Sequence, residues 1–243
     1  MFKPVQLSEL VSPLAAVLYG ADIEFGALNT DSRKITPGQL FVALQGEFFD
    51  GHRYLADVAK RGAVAAIVEE YQADVQLPQL LVADTRIALG QIARLNREQF
   101  TGQTVAVTGS SGKTTVKEML ASICRSALGE AAVLATRGNL NNDLGVPFTL
   151  LELNAQHRAA VVELGASRPG EIAYTAALTQ PMVAVISNAG MAHAGEFGGP
   201  EHIVLAKGEI LDGLRAEHTA VLNLDDAAFE QWRQGHWQHT HCL

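Results

Sequence analysis

A short apolar strand that runs into a glycine–serine loop and then into a helix constrains this chain more than any other feature. The segment reads Val105-Ala106-Val107-Thr108-Gly109-Ser110-Ser111-Gly112-Lys113-Thr114-Thr115. A helix is expected from about Thr114 to Leu128, with Met119, Leu120, Ile123 and Leu128 as its apolar stripe and Gly129 as its stop. Lys117, Glu118 and Arg125 are expected on its wet face. Strand, loop and helix in this order form the context that a phosphate-binding loop requires. Backbone N–H groups of such a loop point inward, and the helix N-terminus adds the positive end of its dipole. Gly109 and Gly112 permit close approach and positive φ angles, which a Cβ opposes. Lys113 is placed to reach the β- and γ-phosphates of ATP, and Thr114 to ligate Mg²⁺. The strict eight-residue pattern is not met, because Val107 stands at its first glycine position. The bland alternative is a glycine-rich turn carrying a surface lysine.

The rest of the chain suits an α/β class. Short apolar runs recur between helical patterns: Val64–Val68, Leu80–Val82, Thr104–Thr108, Ala159–Val162, Val183–Ile186 and Ala220–Leu222. Continuous apolar strands alternating with helices imply a parallel sheet covered on both faces. The polar stretch from Asn96 to Gln103 is the expected linker. It divides an N-terminal α/β domain, residues 1–100, from a doubly wound, mostly parallel-sheet phosphate-loop ATPase domain, residues 101–243. Leu14 to Tyr19 is expected to be amphipathic helix, since Pro4, Glu9 and Pro13 interrupt any secretory apolar run.

A net charge of −8 gives no electrostatic footprint for a nucleic-acid backbone. No apolar run approaches the roughly 18–20 residues of a membrane span. Two cysteines make no disulfide framework, and a cytoplasmic monomer is the expectation. Past Asp225 the pattern dissolves into a tail with His236, His239, His241 and Cys242; without a second cysteine pair no zinc site is read there.

Further candidates follow strand ends. Glu163 ends the strand Ala159–Val162, in the crevice where open parallel sheets bind ligands, although a capping or exposed acid has the same pattern. Asn139, Asn141 and Asn142 follow Val133–Thr136 and suit either substrate binding or an ordinary turn. His193 follows Val183–Ile186. Lys207 lies in a helical pattern, where a lysine is ordinarily solvated.

Together these segments resemble the Mur ligase family, which builds the peptide of bacterial cell-wall precursors. The resemblance is carried by Thr30-Asp31-Ser32-Arg33, Pro37–Leu44, Thr108–Thr115 continuing as Val116-Lys117-Glu118-Met119, and Gly138–Asp143 with Gly145-Val146-Pro147. Glu163–Ala166, Gly170-Glu171-Ile172, His193 with Phe197-Gly198, and Ala206–Ile210 complete it, in family order. Lys117-Glu118-Met119 and the asparagine loop favour the type that adds D-alanyl-D-alanine to UDP-N-acetylmuramoyl-tripeptide.

The resemblance implies an ATP-dependent amide ligase working through an acyl phosphate. It implies that Thr108 to Thr115 (Thr108, Gly109, Ser110, Ser111, Gly112, Lys113, Thr114 and Thr115) hold ATP, and that Thr114 and Glu163 hold one Mg²⁺. It implies that His193 assists a second Mg²⁺, and that Lys207 is the family's carbamylated lysine. Lys113, Lys207 and His193 are then the catalytic candidates, with Ser32 and Arg33 near the uridine-diphosphate end and Asn139 and Asn142 near ATP and the muramoyl peptide. Departures occur at Ala194-Gly195-Glu196 and Gly199. Family members carry a further C-terminal domain that closes over ATP; its absence from this chain implies weak ligand binding and little turnover. Two other readings stay open: a different phosphoryl-transfer enzyme on the same loop, or a non-catalytic nucleotide- and substrate-binding fragment.

Overall fold

The structure is a computed structural model that describes residues 1–190, 199–235 and 241–242. The chain divides into two compact units, Met1–Leu95 and Asn96–Leu243. In the first unit the elements run β1 (Val5–Gln6), α1 (Leu7–Val11), β2 (Val17–Tyr19), β3 (Glu24–Phe25), β4 (Ala27–Asn29), β5 (Gln39–Val42), α2 (Leu55–Lys60), β6 (Ala65–Val68), β7 (Gln79–Leu81) and α3 (Thr85–Glu98), whose last turn enters the second unit. β1 and β3 form a two-stranded antiparallel ribbon. The main sheet has the order β2-β7-β6-β5-β4, parallel except for its edge strand β2. Phe41, Leu55, Val58 and Ala66 form its core, and Leu40, Val42, Ala65 and Ile67 are buried as well. Strands apolar on both faces are what a covered parallel sheet demands.

The stretch Leu14–Tyr19 is not helical. α1 stops at Val11, two residues before Pro13, and Ala15 takes a positive φ of 48°. Proline has no N–H for a helix, and the chain turns to pair β2 antiparallel with β7.

The second unit contains β8 (Gln103–Thr108), α4 (Lys113–Leu128), β9 (Val133–Ala135), α5 (Gly145–Leu151), β10 (Ala159–Glu163), α6 (Glu171–Thr179), β11 (Val183–Ile186), α7 (Pro200–Gly208), β12 (Thr219–Leu222), α8 (Phe229–Gly235) and β13 (His241–Cys242). All six strands are parallel, in the order β13-β12-β11-β8-β10-β9. The connection leaving β8 leads to one side of the sheet, and the connection leaving β10 crosses back to the other. β8 and β10 are neighbours, so the crevice beyond their C-terminal ends lies at a topological switch point. The α/β class and the doubly wound parallel sheet read from sequence are what the chain adopts.

Two local readings change. The polar stretch from Asn96 is helical through Glu98, and Asn96 and Arg97 are buried. The Asn96 amide donates to the carbonyls of Leu150 in the last turn of α5 and Leu153 just beyond it, and Arg97 donates to those of Thr179, Gln180 and Phe100. Polarity there serves the C-terminal carbonyls of two helices, groups that no helix satisfies by itself. The buried face of α4 is the second change. Lys117 is 1% exposed and Ala121 fully buried, while Met119 and Ile123 are 62% and 66% exposed. Of the apolar stripe expected inside, only Leu120 packs against the core while Met119, Ile123 and Leu128 face outward, and the expected wet-face lysine lies in the core.

Candidate functional site

The loop between β8 and α4 is held from below and from the side. Thr108 is buried and its hydroxyl donates to the Leu164 carbonyl at 2.8 Å, which ties the ends of β8 and β10 together. Gly109 has φ +145°, and a Cβ there would run into the Ser187 hydroxyl and the Asn188 backbone. Gly112, with φ +77°, caps α4. The residues after β11 brace the loop. Ser110 N–H donates to the Asn188 carbonyl (2.9 Å), Ser111 N–H to Asn188 Oδ1 (3.1 Å), and the Ser187 hydroxyl to the Ser111 carbonyl (2.7 Å). Two of the expected cradle amides are thus engaged by Asn188. The first-turn N–H groups of α4 have no intrahelical partner and carry the positive dipole end. Lys113 folds over the loop, its Nζ donating to the Gly109 carbonyl at 2.8 Å.

Glu163 closes β10 and is 2% exposed. Its Oε2 accepts the Thr114 hydroxyl at 2.9 Å and its Oε1 accepts Asn141 Nδ2 at 2.8 Å. Its N–H donates to the Thr136 hydroxyl at 2.9 Å. A carboxylate buried beside a helix-terminal hydroxyl is neither a cap nor a solvated acid. The pair offers two hard oxygens, the donor type Mg²⁺ prefers when phosphates and water complete its shell. No cluster of three or more acidic, His or Cys side chains suited to a metal exists among the described residues.

Beyond this pair lies a cavity of about 190 Å³. Gly109, Ser110, Lys113, Asn141, Asn142, Gly165, Glu171 and Lys207 line it. Ser110 Oγ is buried without a hydrogen-bond partner among the described residues, an orphan that a bound oxyanion would satisfy. Lys207 is 4% exposed on α7. Burial first, then the charge of Lys113, pushes its pKa down to about 8, against the pull of Glu209 and Glu171. Those carboxylates are themselves committed: Glu209 accepts the N–H groups of Gly170 (2.7 Å) and Ala173 (3.0 Å) at the start of α6, and Glu171 accepts that of Ser167 (2.8 Å). A larger cavity of about 720 Å³ borders β9, but its charged lining is paired internally, Arg125 with Glu130 and Arg137 with Glu152.

The first unit has its own cavity of about 360 Å³, lined by Thr30 to Arg33, Phe41, Phe49, Gly51 and Tyr54. Arg33 grips Asp31 with two bonds, Nε–Oδ1 at 2.8 Å and Nη2–Oδ2 at 2.9 Å. The guanidinium holds the Asp31 carboxyl well below the usual carboxylate range. Phe49 and Tyr54 are about half exposed and flank the polar turn.

Gly109, Ser110, Lys113, Asn142 and Lys207 line one cavity of the second unit, Thr114 pairs with Glu163 beside it, Thr108 is buried beneath the loop, and Ser111 and Thr115 are exposed. Asn139 is exposed on the preceding turn, and Asn141 takes the inward place. Ser32 and Arg33 line the cavity of the first unit. His193, Phe197, Gly198, His236 and His239 lie outside the described residues. Sequence reasoning gave no role to Asn188, Lys117, Thr136, Phe49 or Tyr54. Asn188 could have been found by the rule that singled out Glu163, because it follows the C-terminal end of a parallel strand.

Comparison with known proteins agrees with the fold. The Mur ligase middle domain matches residues 107–241, and the Mur ligase family catalytic domain matches residues 24–97. The UDP-N-acetylmuramoyl-tripeptide–D-alanyl-D-alanine ligase of Escherichia coli is 48% identical over 94% of this chain and 50% of its own length. A crystal structure of MurF from Acinetobacter baumannii superposes with a TM-score of 0.93 at 43% identity, covering 100% of this chain and 53% of that one. The MurF ligase of Thermotoga maritima, solved in complex with ADP, gives 0.80 at 34% identity, over 89% of this chain and 49% of that one. The chain spans about half the length of the curated relatives it matches. No described helix is long and apolar enough to cross a membrane.

Proposed function

The chain belongs to the Mur ligase family, and on that premise we propose that it holds ATP and UDP-N-acetylmuramoyl-tripeptide for the ATP-dependent addition of D-alanyl-D-alanine. A carboxylate is a poor acyl donor because its leaving group would be oxide. In the proposed reaction a carboxylate oxygen of the tripeptide attacks the γ-phosphorus and the bond to ADP breaks, giving an acyl phosphate. The dipeptide amine then attacks the acyl carbon, the carbon–oxygen bond breaks, and phosphate leaves as the amine loses its proton.

The second unit serves the first step. The first turn of α4 and Lys113 receive the phosphate tail, as the buried orphan Ser110 hydroxyl and the cavity beside it support. Thr114 and Glu163 would hold Mg²⁺, which when bound neutralises charge on the β- and γ-phosphates. Lys207 is buried, with a pKa near 8, so part of it is a neutral amine able to add carbon dioxide; the carbamate would place an anion in the cavity that Lys113 also lines. We assign His193 to a second Mg²⁺ from the family pattern alone. Asn142 faces the same cavity and Asn139 the turn before it, near the muramoyl peptide in this reading. In the first unit, Ser32 and Arg33 with Phe49 and Tyr54 offer donors and ring faces for the uridine-diphosphate end. We place residues 1–100 with the UDP substrate, residues 101–243 with ATP, and the protein in the cytoplasm as a monomer, where ATP is supplied.

The observation that carries this reading is the 2.9 Å contact between Thr114 and buried Glu163 at the head of α4. Calorimetry with ADP and magnesium tests it. Binding is expected, and Lys113→Ala should weaken it about 10- to 100-fold, the worth of a charge-assisted bond to phosphate. Absence of nucleotide uptake by folded protein, or an unchanged Lys113→Ala variant, would overturn the reading.

A further inference from the structure

A buried ammonium stands behind the site without touching the cavity. Lys117 lies three residues after Thr114 on α4, on the same face of the helix. It is 1% exposed, and its Nζ donates to the Thr136 carbonyl at 2.9 Å and to Glu118 Oε1 in a short contact. Thr136 follows the last residue of β9, and its hydroxyl accepts the Glu163 N–H. Glu163 in turn accepts the Thr114 hydroxyl. The path Lys117–Thr136–Glu163–Thr114 therefore leaves α4, crosses the ends of β9 and β10, and returns to α4 one turn earlier.

Stability alone does not call for a lysine at this position. Desolvating an ammonium is costly, and an apolar side chain of similar volume is often neutral or better in a core. Met119 and Ile123 on the same helix face outward while the lysine faces in. We propose that Lys117 is a positioning residue for the magnesium–nucleotide site, fixing the end of β9 so that the Glu163 carboxylate meets the Thr114 hydroxyl. The inference rests on the ATP–magnesium reading above and goes beyond it by assigning the support for that pair. Partners that orient a metal's ligands typically change metal affinity 10- to 100-fold when removed.

The test uses the full chain and the ratio of ADP affinity with saturating magnesium to that in EDTA, read by calorimetry, with melting followed in parallel. Lys117→Met keeps the stem and removes the charge. It should lower the magnesium ratio about 10-fold, leave affinity in EDTA unchanged and preserve cooperative melting. Thr136→Val removes the hydroxyl link while keeping the carbonyl that Lys117 uses, and should give the same loss. A parental ratio in either folded variant overturns the inference, as does an equal loss with and without magnesium, which would mean general damage to the loop. If Lys117→Met does not fold, Thr136→Val decides; if neither folds, the residues serve the fold and the inference falls. A parent protein with no magnesium-dependent binding instead overturns the ATP–magnesium reading itself.

Discussion

The two units build their cavities from opposite materials. In the second unit the polar groups at and behind the crevice are bonded to one another, Thr108 to Leu164, Glu163 to Thr114 and Asn141, Lys117 to Thr136, and Thr108, Glu163, Lys117 and Thr136 are buried. In the first unit the cavity wall is an exposed turn, with Arg33 on Asp31 and two half-exposed aromatic rings. Buried polar networks are rigid when satisfied and costly when broken, whereas exposed ion pairs are worth little to stability. Preorganised charge suits phosphoryl transfer, which depends on fixed positions, and an adaptable turn suits the holding of a nucleotide-sugar end. Substitutions around the crevice should therefore damage stability and binding together, and substitutions at the turn should damage binding alone.

The largest expected effect tests the first half of that contrast. Gly109→Val places a branched side chain at φ +145°, against Ser187 and Asn188. Strain and overlap together should cost the second unit about 3–5 kcal/mol. Nucleotide binding should disappear. Hydrogen exchange should speed up in β8, β10 and β11 while β5 and β6 keep their protection. Retained protection in β8 with lost binding would show that loop and sheet are not interlocked as the hydrogen bonds imply.

How much of this was legible in the sequence depends on how local the cause is. Val183–Ile186 coincides with β11, and the glycine–lysine loop announced its strand and helix, because periodicity and glycine geometry act over a few residues. The face of α4 was not legible. Counting large apolar residues selected Met119 and Ile123, yet the sheet below takes Ala121, which allows close approach, and Lys117, whose partner Thr136 is 19 residues away. Lys207 looked like an ordinary surface charge for the same reason, since what buries it comes from other elements, whereas Glu163 was singled out by its place at the end of a parallel strand and only its burial was not legible. Asn96 and Arg97 read as a linker because their polarity is real, but carbonyls more than 50 residues onward absorb it. In the first unit Thr30 to Arg33 was found through the family resemblance, while Phe49 and Tyr54 join it only through the fold.

A smaller effect concerns pH. Lys207 has a folded pKa near 8, depressed by burial and by Lys113 from the ordinary lysine value. The folded state thus disfavours its charged form. Below about pH 8 the full penalty applies, and it is relieved as pH rises through 8 toward the unfolded value near 10.4. At 1.36 kcal/mol per unit the span is about 3 kcal/mol. In carbon-dioxide-free buffer the parent should gain stability across that window relative to Lys207→Met, whose profile lacks this slope. Parallel profiles would show that Lys207 is solvated, and the crevice would lose one of the buried charges that set it apart.

The smallest effect on stability sharpens the contrast from the other side. Arg33 is exposed and its partner lies two residues away, so Arg33→Ala removes a local surface pair and leaves the strands of the first unit untouched. Melting of that unit should be unchanged within error. Affinity for a uridine diphosphate sugar should nevertheless fall about tenfold, because a guanidinium is a strong donor to phosphate oxygens. Removing the guanidinium leaves the Asp31 carboxylate with Lys34 at 3.7 Å as its remaining cation and uncovers negative charge on the same wall, which repels the diphosphate further, so Arg33→Ala combined with Asp31→Asn should recover part of the loss. Recovery would show that the turn acts through charge at an open surface. A drop in melting temperature without a change in affinity would instead make Arg33 a brace for the turn, and the two cavities would then differ in exposure but not in kind.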